Sequence, residues 1–368
     1  MQQRTSERFT GLDLLRGLAA MAILIYHFPW HAGGTQPLPR AYLAVDVFFV
    51  LSGFVIAHSY QPRLNTGMTF RAFCLARAIR LYPLYAAATL LAAAYFLSPI
   101  VQGKEGGGTL TEWIGSVATA IAFLPTPQEW SLDPASPFAL NLAAWSLFWE
   151  LVINVLFALV ALRLGTRLFP AFLLLGAAGL VWYAQQAGSG SVGWEWTTFW
   201  GGGARALFGF FAGWALHRSR ESRPAPRLPG WMLGAVLVAS FLPGARAVPW
   251  QYDVICQMAL YPAIVWLGAE AVSGPGVRAG GNFLAYVSYP VYVLHIPLMT
   301  VLIILLDKAT GQPIGEFPIP HLALYLTFVI ITSWIAARWL DEPARKWLRR
   351  LFLPSQPSLP VLPSPAAP

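Results

Sequence analysis

Stretches of apolar residues long enough to cross a bilayer recur along this chain, and no other feature constrains its fold so strongly. They lie near residues 12–28, 42–59, 81–98, 145–162, 168–186, 199–216, 230–243, 253–272, 284–306 and 321–340. A spanning helix needs about 20 predominantly apolar residues, because the hydrocarbon core is about 30 Å thick and a helix rises about 1.5 Å per residue. In lipid, backbone polar groups must be satisfied inside the segment, which makes these segments helices. Composition agrees: the 368 residues are 57% hydrophobic and only 11% charged, less than half of the roughly 25% found in soluble domains. The expected fold is therefore all-α, a polytopic transmembrane bundle of about ten spanning helices.

Lysine and arginine positions set the expected orientation. With ten crossings and a cytoplasmic N-terminus, 18 of the 24 basic residues fall on inner segments, while Arg40, Lys104, Arg246 and Lys308 fall outside. An eleventh apolar stretch, residues 112–125, would spoil this bias if it crossed, so it is expected to be interfacial or re-entrant within a long outer segment, 99–144. Both termini are then cytoplasmic. Arg4 and Arg8 before the first apolar run resemble a signal peptide. Asp13 and Arg16 interrupt that run, however, and no small-x-small cleavage site follows, so it is read as a retained helix. Residues 1–350 form one transmembrane domain, and 351–368 a Pro-rich tail expected to be disordered and cytoplasmic. The net charge of +8 flanks apolar segments instead of forming one stripe, which points to membrane lipids and not to nucleic acid. Cys74 and Cys256 have neither metal nor redox spacing, and no metal or disulfide is expected.

An ionisable side chain at membrane depth usually faces a cavity or a partner, because burying it in lipid is costly. The first apolar segment carries Asp13, Arg16 and His27. At about 100° per residue, Arg16 and His27 lie within about 20° of one face and about 16 Å apart along the axis. His27, Asp46, Glu150 and Arg205 are each placed in the outer half of the bundle, and His295 at mid-membrane. A histidine beside a carboxylate can take a hydroxyl proton and hold the resulting charge; the plainer alternative is a set of unrelated ion pairs that fix helix packing. At the inner surface Arg71, Arg77 and Arg80 bracket the third segment. Arg77 and Arg80, three apart, point together if the helix begins before them, a fork suited to phosphate oxygens. Ordinary inside charge contacting lipid headgroups is the alternative reading.

Six motifs in order resemble the membrane-bound acyltransferase 3 family. They are Leu12-Asp13-Leu14-Leu15-Arg16-Gly17 leading to His27, the run Val45–Phe54 with Asp46, and Arg77-Ala78-Ile79-Arg80 followed by Pro83. Next come Trp145-Ser146-Leu147 with Glu150, then Ser288-Tyr289 with Tyr292, His295 and Pro297, and last Asp341-Glu342-Pro343 with Arg345. The resemblance implies a ten-helix bundle that takes an acyl group, commonly acetyl from cytoplasmic acetyl-CoA, and transfers it to a hydroxyl outside. Arg77 and Arg80 would hold the donor's phosphates, with Asp13 and Arg16 lining the route. His27 would be the base or acyl relay, served by Glu150 or Asp46, and Trp145, Arg205 and His295 would face the acceptor. Many members carry a further extracytoplasmic hydrolase-like domain. None is visible in this chain, so acceptor delivery is expected to rest on the bundle or on a separate partner.

The expected function is O-acetyl transfer from acyl-CoA to a carbohydrate hydroxyl, the carbohydrate being lipid-linked or exported, at a bacterial inner membrane. Two alternatives remain at this level. One is transfer of succinyl or another acyl group to a small exported molecule. The other is transport of acidic solutes with Arg16 and Arg205 as anion sites, which the lack of internal repeats disfavours.

Overall fold

The computed structural model describes residues 9–30, 36–104, 106–164, 166–220, 222–244, 248–311, 314 and 318–353. Its helices are, in chain order, α1 Thr10–His27, α2 Ala44–Asn65, α3 Phe70–Val101, α4 Leu110–Ile121, α5 Ala144–Leu159, α6 Phe169–Ala187 and α7 Phe199–Ser219. They continue with α8 Gly230–Ala239, α9 Trp250–Ile255, α10 Tyr261–Gly268, α11 Pro275–Thr310, α12 Pro318–Ala336 and α13 Glu342–Phe352. All ten apolar segments coincide with helices, and among the described residues no strand occurs, only an isolated bridge between Pro229 and Val272. Among the described residues five stretches are long and apolar enough to cross a membrane: Ala41–Asn65, Phe70–Val101, Ala144–Arg163, Pro275–Thr310 and Ile319–Phe352. Helix α8, at 10 residues, is about half the usual spanning length. Most of the proposed tail, 354–368, lies outside the described residues, as do Arg4, Arg8 and Arg246 of the charge pattern.

Helix α4 has 12 residues, about 18 Å of rise against a core of about 30 Å, so it cannot span alone. Thr109 and Glu112 close a reciprocal cap at its start. The helix then runs antiparallel to α3: Trp113 Nε1 donates to Ala93 O at 2.9 Å, and Tyr82 and Tyr85 hydroxyls donate to Ile121 O and Ala120 O at 2.9 and 2.8 Å. The chain doubles back along α3 for the length of α4 before it continues to α5.

Glycines set how closely the central helices approach. A Cβ at Gly53 of α2 would sit 1.9 Å from Phe210 O, and one at Gly213 of α7 would sit 2.0 Å from Val50 O. Without side chains there, the backbones of α2 and α7 touch, the small-residue packing expected where lipid gives helices no hydrophobic drive to associate. Gly17 similarly lets α1 lie against Leu284 of α11. These two contacts bring the polar residues of α1, α2, α7 and α11 to one axis. Among the described residues, π-helical turns at Val160–Leu164, Cys256–Leu260 and Ala337–Asp341 interrupt the rods. The last carries Asp341 inward, to 1% exposure.

Candidate active site

Two cavities lie back to back on that axis. One, named inner after the orientation expected from the basic residues, measures about 220 Å³ and is lined by Arg16, Arg77, Arg80, Glu150, Ser52 and Tyr289 among the apolar side chains of Phe48, Phe49, Val55, Ile56, Leu81 and Leu147. The outer one, about 260 Å³, is lined by His27, Trp145, Arg205, His295, Tyr26, Tyr42 and Trp194. Val45 and Tyr292 line both. Ser146 Oγ donates to Ala143 O at 3.2 Å, which leaves the Tyr292 hydroxyl as donor in the 2.5 Å bond between them. Phe48 packs edge-on to Tyr292 at 5.5 Å. The partition is thus one residue thick.

In the inner chamber Arg77 Nη2 donates to Glu150 Oε1 at 2.8 Å, and Ser52 Oγ donates to the same oxygen at 3.0 Å. Arg80 lies over the Tyr289 ring at 4.7 Å and 3.8 Å from Asp341, which Arg345 also binds at 3.0 Å. The third and last motifs of the sequence therefore meet. Helix α3 begins at Phe70, well before Arg77 and Arg80, and the two do share a chamber. Each keeps a buried nitrogen without a hydrogen-bond partner, Arg77 Nε and Arg80 Nη1. Buried donors left unmade cost about 1–3 kcal/mol each, more when charged. A phosphate oxygen would satisfy them. The cavity is smaller than the roughly 300–1,000 Å³ that holds a whole drug-sized ligand.

The outer chamber is different. Arg205 Nε and Nη2 grip Asp46 Oδ1 and Oδ2 at 3.0 and 2.7 Å, its Nη1 reaches Val192 O at 2.7 Å, and its Nη2 also reaches Tyr42 O at 3.2 Å. Gln257 adds a bond to Asp46 at 3.1 Å, and Trp145 lies 5.1 Å beneath the guanidinium. A family model described as an acyltransferase domain matches residues 9–338.

The chain belongs to this acyltransferase family.

Over 170 residues the acyltransferase is 41% identical to Protein 2 in picA locus of Rhizobium radiobacter, which covers 43% of this chain and 85% of that protein. It is 30% identical over 161 residues to acyltransferase MdmB of Streptomyces mycarofaciens, covering 41% of this chain and 39% of MdmB. With peptidoglycan O-acetyltransferase OatA of Listeria monocytogenes it shares 36% over 77 residues, 20% of this chain and 11% of OatA. The chain thus matches well under half the length of the last two. No solved structure matches it.

The structure departs from the expected pairing of His27 with a carboxylate. Asp46 is bound by Arg205 and Gln257 and lines neither chamber, while Glu150 is bound by Arg77 and Ser52 on the inner side. His27 instead meets His295, Nδ1 to Nε2, at 3.3 Å. Arg16 and His27 do share one side of α1, facing the inner and outer chambers respectively. Asp13 pairs with Arg16 at 3.2 Å and lines neither chamber.

Sequence reasoning missed a second buried network in the acyltransferase. Asp253 is fully buried, held by Arg40, by Tyr42 Oη at 2.8 Å and by Gly190 N at 2.7 Å, while Arg40 also donates to Pro243 O at 3.0 Å and Val248 O at 2.7 Å. It ties three connecting segments over the outer chamber and orients Tyr42. An acidic residue opening an apolar segment was the available signal.

Proposed function

We propose that this acyltransferase moves an acyl group, acetyl in particular, from cytoplasmic acyl-CoA to a hydroxyl of an extracytoplasmic or lipid-linked carbohydrate. In this reading it sits in a bacterial cytoplasmic membrane with ten crossings and both termini inside. One observation carries the proposal: a chamber with buried guanidinium nitrogens that lack hydrogen bonds abuts a chamber holding a histidine, and Val45 and Tyr292 line both. The peptidoglycan O-acetylation named for OatA supports the acetyl and carbohydrate assignments.

The chemistry follows from the two faces. Arg77 and Arg80, with Arg16 beside them, hold the phosphate-bearing donor by charge-assisted bonds. The walls of Phe48, Phe49 and Leu147 keep water from its thioester. For transfer the acyl end of the donor has to pass the Tyr292 partition; His27 then takes the acceptor's hydroxyl proton as the oxygen attacks the thioester carbon. The C–O bond forms, the C–S bond breaks, and the proton on His27 passes to the departing sulfur, leaving an ester and a free thiol. Trp145, with Trp194 and Tyr42, gives an aromatic and hydroxyl lining suited to a sugar ring.

Purified protein in detergent, given labelled acetyl-CoA and a panel of bacterial glycans, should release free CoA and label one glycan. Intact acetyl-CoA with every glycan, from protein that nevertheless carries acidic solutes across vesicles, would replace the enzyme reading with the transporter.

A further inference from the structure

Two histidines line the outer chamber, and their hydrogen bonds decide which one can act as a base. His295 is fully buried, and its Nδ1 lies 2.7 Å from Tyr292 O. A carbonyl only accepts, so this nitrogen carries the proton, and the neutral ring keeps its lone pair on Nε2. That lone pair faces His27 Nδ1 at 3.3 Å. The same Nδ1 lies 3.1 Å from Ile23 O. Two acceptors converge on it, so His27 is protonated at Nδ1 and bare at Nε2. Both nitrogens of His295 are thus engaged within the protein. His27 Nε2 makes no hydrogen bond among the described residues, and the ring borders the cavity.

The turn that presents His295 is itself pinned. Pro297 has no N–H to give to the carbonyl four residues back, Val293 O. Asn141 Nδ2 replaces it at 3.0 Å, and Asn141 Oδ1 is held in turn by Ala143 N at 3.2 Å. The Asn141 side chain therefore fastens the segment before α5 to the turn of α11 that carries His295.

We propose that His295 is a positioning residue, not an acceptor-binding one: it fixes the tautomer and ring plane of His27 so that Nε2 is the base. The proposal rests on His27 being the base of the reaction above. When Nε2 takes the acceptor's proton the ring becomes an imidazolium, and the Nδ1–H bonds to His295 Nε2 and Ile23 O become charge-assisted and stronger. Two neutral acceptors then do what a carboxylate does in a serine-protease triad. Because Ile23 O remains after His295 is lost, the effect should be smaller than when a triad loses its orienting group.

The test compares three substitutions in protein that is monodisperse by size exclusion. The amide of Gln ends near the place of Nε2, so His295→Gln can still accept from His27. The shorter amide of His295→Asn reaches only Tyr292 O, and His295→Leu reaches neither. The Asn and Leu variants should lower kcat roughly 10–100-fold, as losses of a supporting hydrogen bond do, with both KM values within about twofold. The Gln variant should keep most of the rate. Nitrogen NMR of labelled His27 should show a single Nδ1–H tautomer in wild type and Gln, and a mixture or a mobile ring in Leu. Wild-type kcat in the Leu or Asn variant, with His27→Ala inactive, would overturn the positioning role and leave the base intact. A Gln variant as slow as Leu would overturn it too, by reducing His295 to packing. An active His27→Ala would instead remove the underlying reading.

Discussion

Both chambers are lined by arginine, but the arginines differ in what they have left to give. In the outer chamber Arg205 is 2% exposed, and its three nitrogens are all bonded to Asp46, Val192 O and Tyr42 O. In the inner chamber Arg77 Nε and Arg80 Nη1 are buried without a hydrogen bond, although Arg80 Nη1 stays 3.8 Å from an Asp341 oxygen. The three arginines carry equal charge but differ in exposure: the Arg205 side chain is 1% exposed, that of Arg77 11% and that of Arg80 34%. Arg205 is spent on holding α2 to α7, whereas Arg77 and Arg80 each keep a nitrogen without a hydrogen bond. The charge of Arg205 in the outer chamber is neutralised by Asp46, and the groups left lining that chamber are imidazole, aromatic faces and hydroxyls.

If that contrast holds, the largest effect belongs to His27. A positioned acid–base group contributes roughly 10²–10⁴-fold to rate, so His27→Ala should cut turnover by at least about two decades while donor KM stays nearly unchanged. Titrating acyl transfer against acetyl-CoA in a monodisperse preparation separates the two. Normal turnover there would mean that the outer chamber holds no catalytic group, and the comparison would collapse.

The second test concerns Asp46 and Arg205. Removing one member of a buried ion pair strands the other and costs about 3–5 kcal/mol, whereas replacing both with apolar residues of similar size is often neutral. Asp46→Ala should thus fail mainly in thermal stability, and Asp46→Leu combined with Arg205→Met should recover much of the melting temperature. Full stability with lost turnover in Asp46→Ala would return Asp46 to the chemistry.

That pair also marks where reading the sequence stops. The depth of each charge along its own helix follows from rise and register, and the common face of Arg16 and His27 followed from the helical period alone. Which charges touch depends on how helices cross, and here the crossings are set by backbone contact at Gly17, Gly53 and Gly213, which no periodicity reveals. Glu150 illustrates this: it lies about 9 Å into α5, as expected, but the Ser146–Tyr292 partition lies above it and puts it with Arg77. Arg40 looked like a loop charge. Its bonds to Pro243 O, Val248 O and Asp253 make it a core residue.

A smaller effect should sharpen the inner half. Changing Arg77 and Arg80 together to Ala removes charge-assisted phosphate bonds of about 1.5–3 kcal/mol each. Because each guanidinium keeps its existing partners, only part of that will appear. Apparent KM for acyl-CoA should rise roughly 10–100-fold, with acceptor KM little changed. Steady-state kinetics varying each substrate at saturating levels of the other will show it. An unchanged donor KM would mean that the spare nitrogens serve the lipid interface.

The smallest effect, and the most specific to the two-chamber arrangement, is expected at Tyr292. Its hydroxyl donates to Ser146 Oγ across the partition, and Ser146 keeps its own bond to Ala143 O. Tyr292→Phe therefore leaves the ring in place and strands only an acceptor lone pair, at a cost of about 0.5–1.5 kcal/mol. Fold and melting temperature should hardly move. The partition, however, loses the bond that closes it, and outer-chamber water then has a route to a thioester held on the inner side. CoA release without acceptor should rise a few-fold, up to about tenfold for a loss near 1.4 kcal/mol, while transfer to acceptor falls in proportion to the donor wasted. Tyr292→Ala, which also removes the ring packed against Phe48, should leak more. A thiol-reactive dye reporting free CoA with acceptor omitted gives the rates directly. If both variants hydrolyse no faster than wild type, Tyr292 does not separate the chambers, and the spare arginines and the open imidazole would have to be read as lining one continuous site.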